Sequence, residues 1–210
     1  MIKIKTFPVG DLQVNCYFVE DTESGSIAVI DPGDSSTAVE DYVQKNADRI
    51  KYILLTHGHF DHIGYANRLK ELTNAQIAVS NTEEPLLSDS RLNLSLMFYG
   101  RSLKEVKADI LLDNNSTLML GSTEIKYIST PGHTAGSGCY IIDDSIFTGD
   151  TLMRMSMGRT DFPTSSIDDM LASLNKLKSL DDSYKVYPGH GSASTLEYEK
   201  KNNPYLKGIF

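Results

Sequence analysis

Apolar positions in the first thirty residues fall in short runs bounded by turns. Lys3–Phe7 alternates apolar and polar residues, Val14–Val19 is an apolar run after a Gly-Asp turn, and Ser26–Ile30 stops at Asp31-Pro-Gly. The connections around Gly10 and Gly25 are turn-like, which makes an antiparallel meander the simplest pairing. Ser36–Asn46 then opens on Ser/Thr and repeats apolar residues at Ala38, Tyr42 and Val43, a helix pattern. From there strands and helices alternate: Lys51–Leu55 a strand, Ile63–Leu72 a helix, Gln76–Val79 a strand. Glu124–Ile128, Gly138–Ile142 and Ser145–Thr148 read as further strands. Asp168–Leu177 is a helix with Met170, Leu171, Leu174 and Leu177 on one face, Tyr184–Tyr187 a last strand, and Leu196–Asn202 a helix stopping before Pro204. Hairpin-linked strands mixed with helices predict sheet packed on sheet with helices outside.

Residues 84–112 break this rhythm. Leu92, Leu94, Leu96, Met97, Phe98 and Tyr99 precede a charged stretch there. The segment reads either as a pair of short helices packed on the core or forming a dimer contact, or as a flap over a site. Met153, Met155 and Met157 alternate further on, as an ordinary strand face or a substrate wall.

With 210 residues the chain fits one domain, 1–210, large enough to bury a core without disulfide or metal staples. No apolar stretch is long enough to cross a bilayer and no signal peptide pattern opens the chain, so a cytoplasmic protein with no membrane partner is expected. The net charge of −8, with no basic cluster, argues against nucleic acid as a partner. Cys16 and Cys139 lie in apolar strand-like segments and read as buried structural thiols.

The histidines change the picture. All five, His57, His59, His62, His133 and His190, stand in loops directly after predicted strands, three of them within Thr56-His-Gly-His-Phe-Asp-His62. Imidazoles at that density repel one another when protonated and compete for partners when neutral; a divalent cation removes both problems. His133 follows Thr130-Pro-Gly, His190 follows Tyr187-Pro-Gly, and Asp150 ends Thr148-Gly-Asp. Four loops at strand ends thus supply five imidazoles and the carboxylates of Asp61 and Asp150. Seven ligands are too many for one tetrahedral ion but suit two ions sharing a carboxylate.

These motifs, with Asp31-Pro-Gly before them and Pro188-Gly-His after, resemble the metallo-β-lactamase superfamily over residues 12 to 206. Gly149-Asp-Thr-Leu, Gly158-Arg-Thr-Asp-Phe-Pro and Asn203-Pro-Tyr-Leu are similar to the short, single-domain branch of the glyoxalase II-like (hydroxyacylglutathione hydrolase-like) hydrolases. The resemblance implies an α/β fold, an αββα four-layer sandwich with the metal site at one edge between two mixed sheets. It implies His57, His59 and His133 on one metal, Asp61, His62 and His190 on the second, and Asp150 between them. Asp31 would orient the histidine loop, and Arg159 would face the substrate's anionic end, although a surface pairing with Asp161 accounts for Arg159 equally well. With one domain expected over 1–210, no separate C-terminal helical domain of the kind that helps full-length glyoxalase II bind glutathione is expected, and the last histidine is followed by Gly191-Ser192 where that family has Glu-Tyr.

The implied chemistry is hydrolysis by a metal-bridging hydroxide, with Asp61 and Asp150 as catalytic carboxylates, on two divalent ions: zinc first, with iron or manganese also suited to imidazole and carboxylate. With every histidine engaged, none is left to protonate a departing amine. A thiol, with a pKa of about 8.5, departs as thiolate without that help. The expected substrate is therefore a small acyl-thiol. The rivals are a mono-iron persulfide dioxygenase and a lactone or ester hydrolase of the same superfamily.

Overall fold

The computed structural model describes residues 1–209. Strands β1 (Ile2–Val9), β2 (Val14–Asp21) and β3 (Ile27–Ile30) form the expected antiparallel meander, with Phe7 opposite Cys16 and Tyr17 opposite Ile30. Helix α1 (Thr37–Asn46) follows, its first turn capped by the Ser36 hydroxyl, which accepts from the Val39 N–H at 3.3 Å. β4 (Ile50–Leu54), β5 (Gln76–Ser80) and β6 (Ile110–Leu112) then add in parallel, giving one six-stranded sheet in the order β1-β2-β3-β4-β5-β6.

The second sheet has the order β14-β13-β10-β9-β8-β7, built from β7 (Thr117–Leu120), β8 (Thr123–Ser129), β9 (Gly138–Ile142), β10 (Ser145–Gly149), β13 (Lys185–Pro188) and β14 (Ser194–Thr195). β10 and β13 run parallel, and β9 is antiparallel to both β8 and β10. β8, β10 and β13 therefore all end at the same edge of the sheet. A small hairpin, β11 (Leu152–Met153) and β12 (Ser156–Met157), leaves that edge.

Three apolar layers separate four structural ones. Val29, Ile53 and Ile77 of the first sheet pack under α1 and α3 (Ala66–Thr73), against Val39, Val43 and Leu69. Tyr17, Ile30 and Leu54 meet Tyr127, Tyr140 and Phe147 between the sheets. Ile128, Ile146 and Val186 on the far face of the second sheet bury Met170, Leu174 and Leu177 of α5 (Ile167–Lys178) and Leu196 of α6 (Leu196–Asn202). This is the αββα sandwich. Cys16 and Cys139 are buried free thiols in it. Among the described residues no helix is long and apolar enough to cross a membrane.

Three expectations change. The helix read over Ile63–Leu72 is two: α2 (Phe60–Ile63), carrying Asp61 and His62, and then α3. The break sits where Gly64 passes Gly33, whose carbonyl would lie 2.4 Å from any Cβ at position 64. Residues 84–112 hold two short helical segments, a 3-10 turn over Glu84–Leu87 and α4 (Ser95–Tyr99), as the first of the two readings has it, but they also run on into an edge strand, β6, that the pattern does not show. Leu86, Leu87, Leu94 and Val106 bury into the protein, whereas Leu96, Met97, Phe98 and Tyr99 stay exposed. Finally, Met153 and Met157 sit on the two arms of the small hairpin and Met155 at its left-handed turn, φ +60°, so the three do not share a strand face.

The sheets are also joined by a polar contact. Tyr140, fully buried on β9, donates its hydroxyl to the Leu55 carbonyl at 2.9 Å, directly before the histidine loop. Tyr140→Phe leaves that carbonyl without this buried donor and is expected to cost about 1–2 kcal/mol in denaturant unfolding; an unchanged midpoint would contradict a contribution from this bond.

Candidate metal centre

Each site residue sits just past a strand end. β4 feeds the His57–His62 loop, β8 feeds His133, β10 feeds Asp150 and β13 feeds His190, and the structure brings all seven predicted ligands together. Three triads have ligating atoms within 4.8 Å of one another: His57, His59 and His133; His57, His62 and Asp150; Asp61, His62 and His190. The Asp150 carboxylate lies between them, one oxygen 3.7 Å from His62 Nε2 and the other 3.5 Å from His133 Nε2 and 3.7 Å from His190 Nε2. His190 Nε2 is 3.2 Å from the Asp61 carboxylate.

Hydrogen bonds on the outer side fix which nitrogen faces inward. His133 Nδ1 lies 2.8 Å from the Arg159 carbonyl and His190 Nδ1 3.0 Å from the Leu12 carbonyl; a carbonyl only accepts, so both Nδ1 atoms carry the proton. His62 Nδ1 donates to Asp31 Oδ2 at 2.9 Å. Thr56 Oγ1 donates to the same carboxylate at 2.6 Å, which leaves its lone pair to accept from His57 Nδ1 at 3.1 Å. Four imidazoles therefore turn Nε2 toward the centre. His59 instead turns Nδ1 to within 2.9 Å of His133 Nε2, a separation two bare nitrogens hold only by sharing a proton or a cation.

The inward groups pass the test for a cation. Nε2 of His57 and His62 and Oδ1 of Asp150, which belong to one converging triad, are buried without any hydrogen-bond partner. Such an atom costs roughly 1–3 kcal/mol, so a cluster of three needs an outside compensator. Burial, reinforced by neighbouring imidazoles, holds His57 and His59 far below the ordinary histidine pKa, keeping them neutral as ligation requires. Burial also works against charge on His62, but the Asp61, Asp31 and Asp150 carboxylates outweigh it and lift its pKa to about 10, so its Nε2 holds a second proton that a bound cation would displace. Burial likewise raises Asp61, while His62 and His190 overcome this and hold its carboxyl well below the usual range.

Close approach is built in with glycine. A Cβ on Gly189 would lie 2.3 Å from Asp150 Oδ1 and 2.8 Å from His62 Cε1; one on Gly33 would lie 1.4 Å from the Asp61 carbonyl. Asp31 takes the left-handed conformation, φ +50°, and from it accepts from the Thr56 N–H at 2.8 Å as well as from Thr56 Oγ1 and His62. Arg159 forms a two-point pair with Asp161 at 2.9 and 2.7 Å at the cleft mouth, its guanidinium 4.3 Å from the Phe162 ring centroid.

Sequence reasoning missed two anchors. Asn15 and Tyr17 of β2 hold the His190 loop: the Asn15 side chain donates to the Pro188 and Gly191 carbonyls at 3.1 and 2.9 Å, and Tyr17 donates to Pro188 at 2.6 Å. Glu83, fully buried, accepts from the Gly58 N–H at 2.8 Å and from Thr134 Oγ1 and the Gly136 N–H at 2.9 Å each. One carboxylate thereby ties the His57–His59 loop to the His133 loop. Its only sequence signal is one of two adjacent acids, Glu83 and Glu84, in a stretch without periodicity.

Burial lifts the Glu83 carboxyl from 4.5 to about 7, against the pull of its three donors. An acid with a higher pKa folded than unfolded contributes stability below the unfolded value and loses it as pH rises through the folded one, here between 4.5 and about 7. Glu83→Gln does not titrate. Raising the pH from 5 to 8 should therefore cost the parent about 2–3 kcal/mol more than the variant, read as a Tm difference that moves by roughly 5 °C or more. A difference that stays flat, or that moves in the parent's favour, contradicts the raised pKa.

The family model described as "Metallo-beta-lactamase superfamily" matches residues 9–190. The hydroxyacylglutathione hydrolase GloC of Haemophilus influenzae is 32% identical, with 98% of each chain covered. Among solved structures, the BLEG-1 B3 metallo-beta-lactamase superposes with a TM-score of 0.91 at 33% identity, covering 98% of this chain and 100% of that one. TTHA1623 in a di-iron-bound form does so with a TM-score of 0.84 at 31% identity, covering 96% and 100%. With four strand-end loops converging on one histidine–aspartate cluster, and with these matches, the chain belongs to the metallo-beta-lactamase superfamily.

Proposed function

We propose that the protein is a hydrolase of small acyl thioesters that works with two divalent cations. The observation that carries this reading is the set of partnerless buried atoms, Nε2 of His57 and His62 and Oδ1 of Asp150, on residues that converge from two loops. His57, His59 and His133 would hold one cation, Asp61, His62 and His190 the other, with Asp150 shared. When bound, the cations supply Lewis acidity, lowering the pKa of water to about 7 and polarising a carbonyl oxygen. Zinc is the first choice for this donor set; the di-iron form of TTHA1623 makes iron the second.

The remaining steps belong to the chain. The Asp31 carboxylate and the Arg159 and Leu12 carbonyls accept from the outer N–H groups of His62, His133 and His190, so those rings keep Nε2 aimed inward while substrate enters. Water adds to the acyl carbon, the carbon–sulfur bond breaks, and a carboxylic acid and a thiol result. The residues lining the cleft include no carboxyl or imidazole outside the ligand set, so no side chain there is placed to protonate a leaving amine. A thiolate needs no such acid, which favours thioesters, then activated esters and lactones, over amides. The similarity to GloC supports a hydroxyacylglutathione hydrolase-like reaction type. The rival, a mono-iron dioxygenase, would use the same fold with Asp61, His62 and His190 converging but idle, so metal content separates the two. The low pI of about 5.1 and the absence of an apolar membrane-length helix among the described residues fit a cytoplasmic enzyme with a small-molecule substrate and no nucleic-acid partner.

Freshly purified protein is expected to carry about two equivalents of zinc or iron, to hydrolyse S-lactoylglutathione or another acyl thioester, and to lose that activity to a chelator and regain it with the same ion. Asp150→Ala should cut turnover by about 10³-fold or more, in line with losing a centrally placed ligand, and lower the metal content. Full activity in that variant, or a single iron with thiol-dependent oxygen uptake, contradicts the reading.

A further inference from the structure

The cleft over the metal centre measures about 350 Å³, and away from the ligands its lining is one-sided. Phe98, Phe162, Met153, Met157 and Leu12 face it. The Phe162 ring stands edge-on to His59 and His133, with centroids 5.6 and 6.1 Å away, so apolar surface begins directly beside the ligands. Phe98 stacks on Phe60 at 5.2 Å and lies 6.5 Å from Phe162. Outside the ligand set, Arg159 is the one charged residue lining the cleft among the described residues, and Asp161 already holds its guanidinium at two points.

This wall is held rather than left over. The Phe60 N–H donates to the Asn93 carbonyl at 2.9 Å, tying the turn before α4 to the histidine helix. Leu94 follows in a left-handed conformation, φ +66°, which a branched residue adopts only when its surroundings impose it; it is buried, and its carbonyl accepts from the Phe98 N–H at 3.0 Å. On the opposite side, Asn203 Nδ2 donates to the Met153 and Ser156 carbonyls at 3.3 and 3.0 Å, and Glu199 accepts from the Met155 N–H at 2.8 Å. The protein thus fixes a half-exposed phenylalanine, 48% accessible, beside the centre, where burial of its own core does not require it.

We infer that the cleft is an acyl pocket: the substrate carries an uncharged aromatic or medium-chain aliphatic acyl group that lies against Phe98, Phe162, Met153 and Met157, on a thiol without carboxylates. A hydrocarbon chain gains about fourfold in affinity for each methylene taken from water, whereas a carboxylate set against the same wall loses its hydration and finds no free cation. Methionine side chains adapt to chains of differing shape, which suits a range of acyl groups. The inference rests on the hydrolase reading for the bond that reacts; the pocket is tested separately from it.

The direct test is titration calorimetry of the metal-loaded protein with S-alkyl thioethers of N-acetylcysteamine, ethyl through hexyl, which have no thioester bond to hydrolyse. Affinity should rise two- to fourfold per methylene, at least tenfold from ethyl to hexyl. Phe98→Ala should flatten this series to threefold or less. Met153→Ala serves as the second variant should the first fail to fold, and is expected to weaken the hexyl compound more than the ethyl. In parallel, kcat/KM for the hexanoyl thioester should exceed that for the lactoyl thioester of the same thiol. Affinity indifferent to chain length, or glutathione binding more tightly than the hexyl thioether, overturns the acyl pocket whatever the turnover. Chain-dependent binding without turnover of any thioester upholds the pocket and removes the hydrolase reading instead.

Discussion

Lone pairs turned inward with nothing of the protein's own to meet them are the constraint around which this molecule is arranged. Polar atoms buried in a folded chain are nearly always paired. Here Nε2 of His57 and His62 and one oxygen of Asp150 are not, and these three residues bring ligating atoms within 4.8 Å of one another. No rearrangement of side chains within the cluster removes the difficulty, because the outer nitrogens of His62, His133 and His190 are already committed to Asp31, Arg159 and Leu12. The outer bonds determine the inner chemistry: each N–H held on the outside turns the ring's other nitrogen to the inside.

Sustaining that arrangement takes more scaffold than ligand. Asp31 accepts three hydrogen bonds from the histidine segment, Glu83 links two loops that come from different sheets, and Asn15 with Tyr17 ties the last loop to the first hairpin. The apolar layers beneath are ordinary by comparison: they hold β8, β10 and β13 in one direction, so that three loops leave the second sheet at the edge where β4 leaves the first. Rigid sheets set where the loops begin, and buried polar anchors set where they point.

The ligands were legible in the sequence because their chemistry is rare and local: five histidines, each just past a strand-like run, seldom gather in that way except around a metal. The meander and the parallel strands were legible from alternation and from the turns at Gly10 and Gly25. What escaped was whatever depends on distance along the chain. Glu83 meets Gly58 and Gly136 across 25 and 53 residues, and nothing near position 83 marks it. The split of α2 from α3 depends on the passage of Gly33 beside Gly64, and β6 on an edge of sheet offered by β5. Met153, Met155 and Met157 looked like a strand face because a tight hairpin places residues at the same spacing as a strand over so short a run. Arg159 admitted two readings, and its carbonyl, which holds His133, was in neither of them.

The central claim, that two cations share this cluster, is tested most directly by anomalous diffraction from crystals of the purified protein at the absorption edge of the metal found in it. Two peaks are expected about 3.5–4 Å apart, one ringed by His57, His59 and His133, the other by Asp61, His62 and His190, with the Asp150 carboxylate between. A single peak, or metal only at other positions, would contradict the claim.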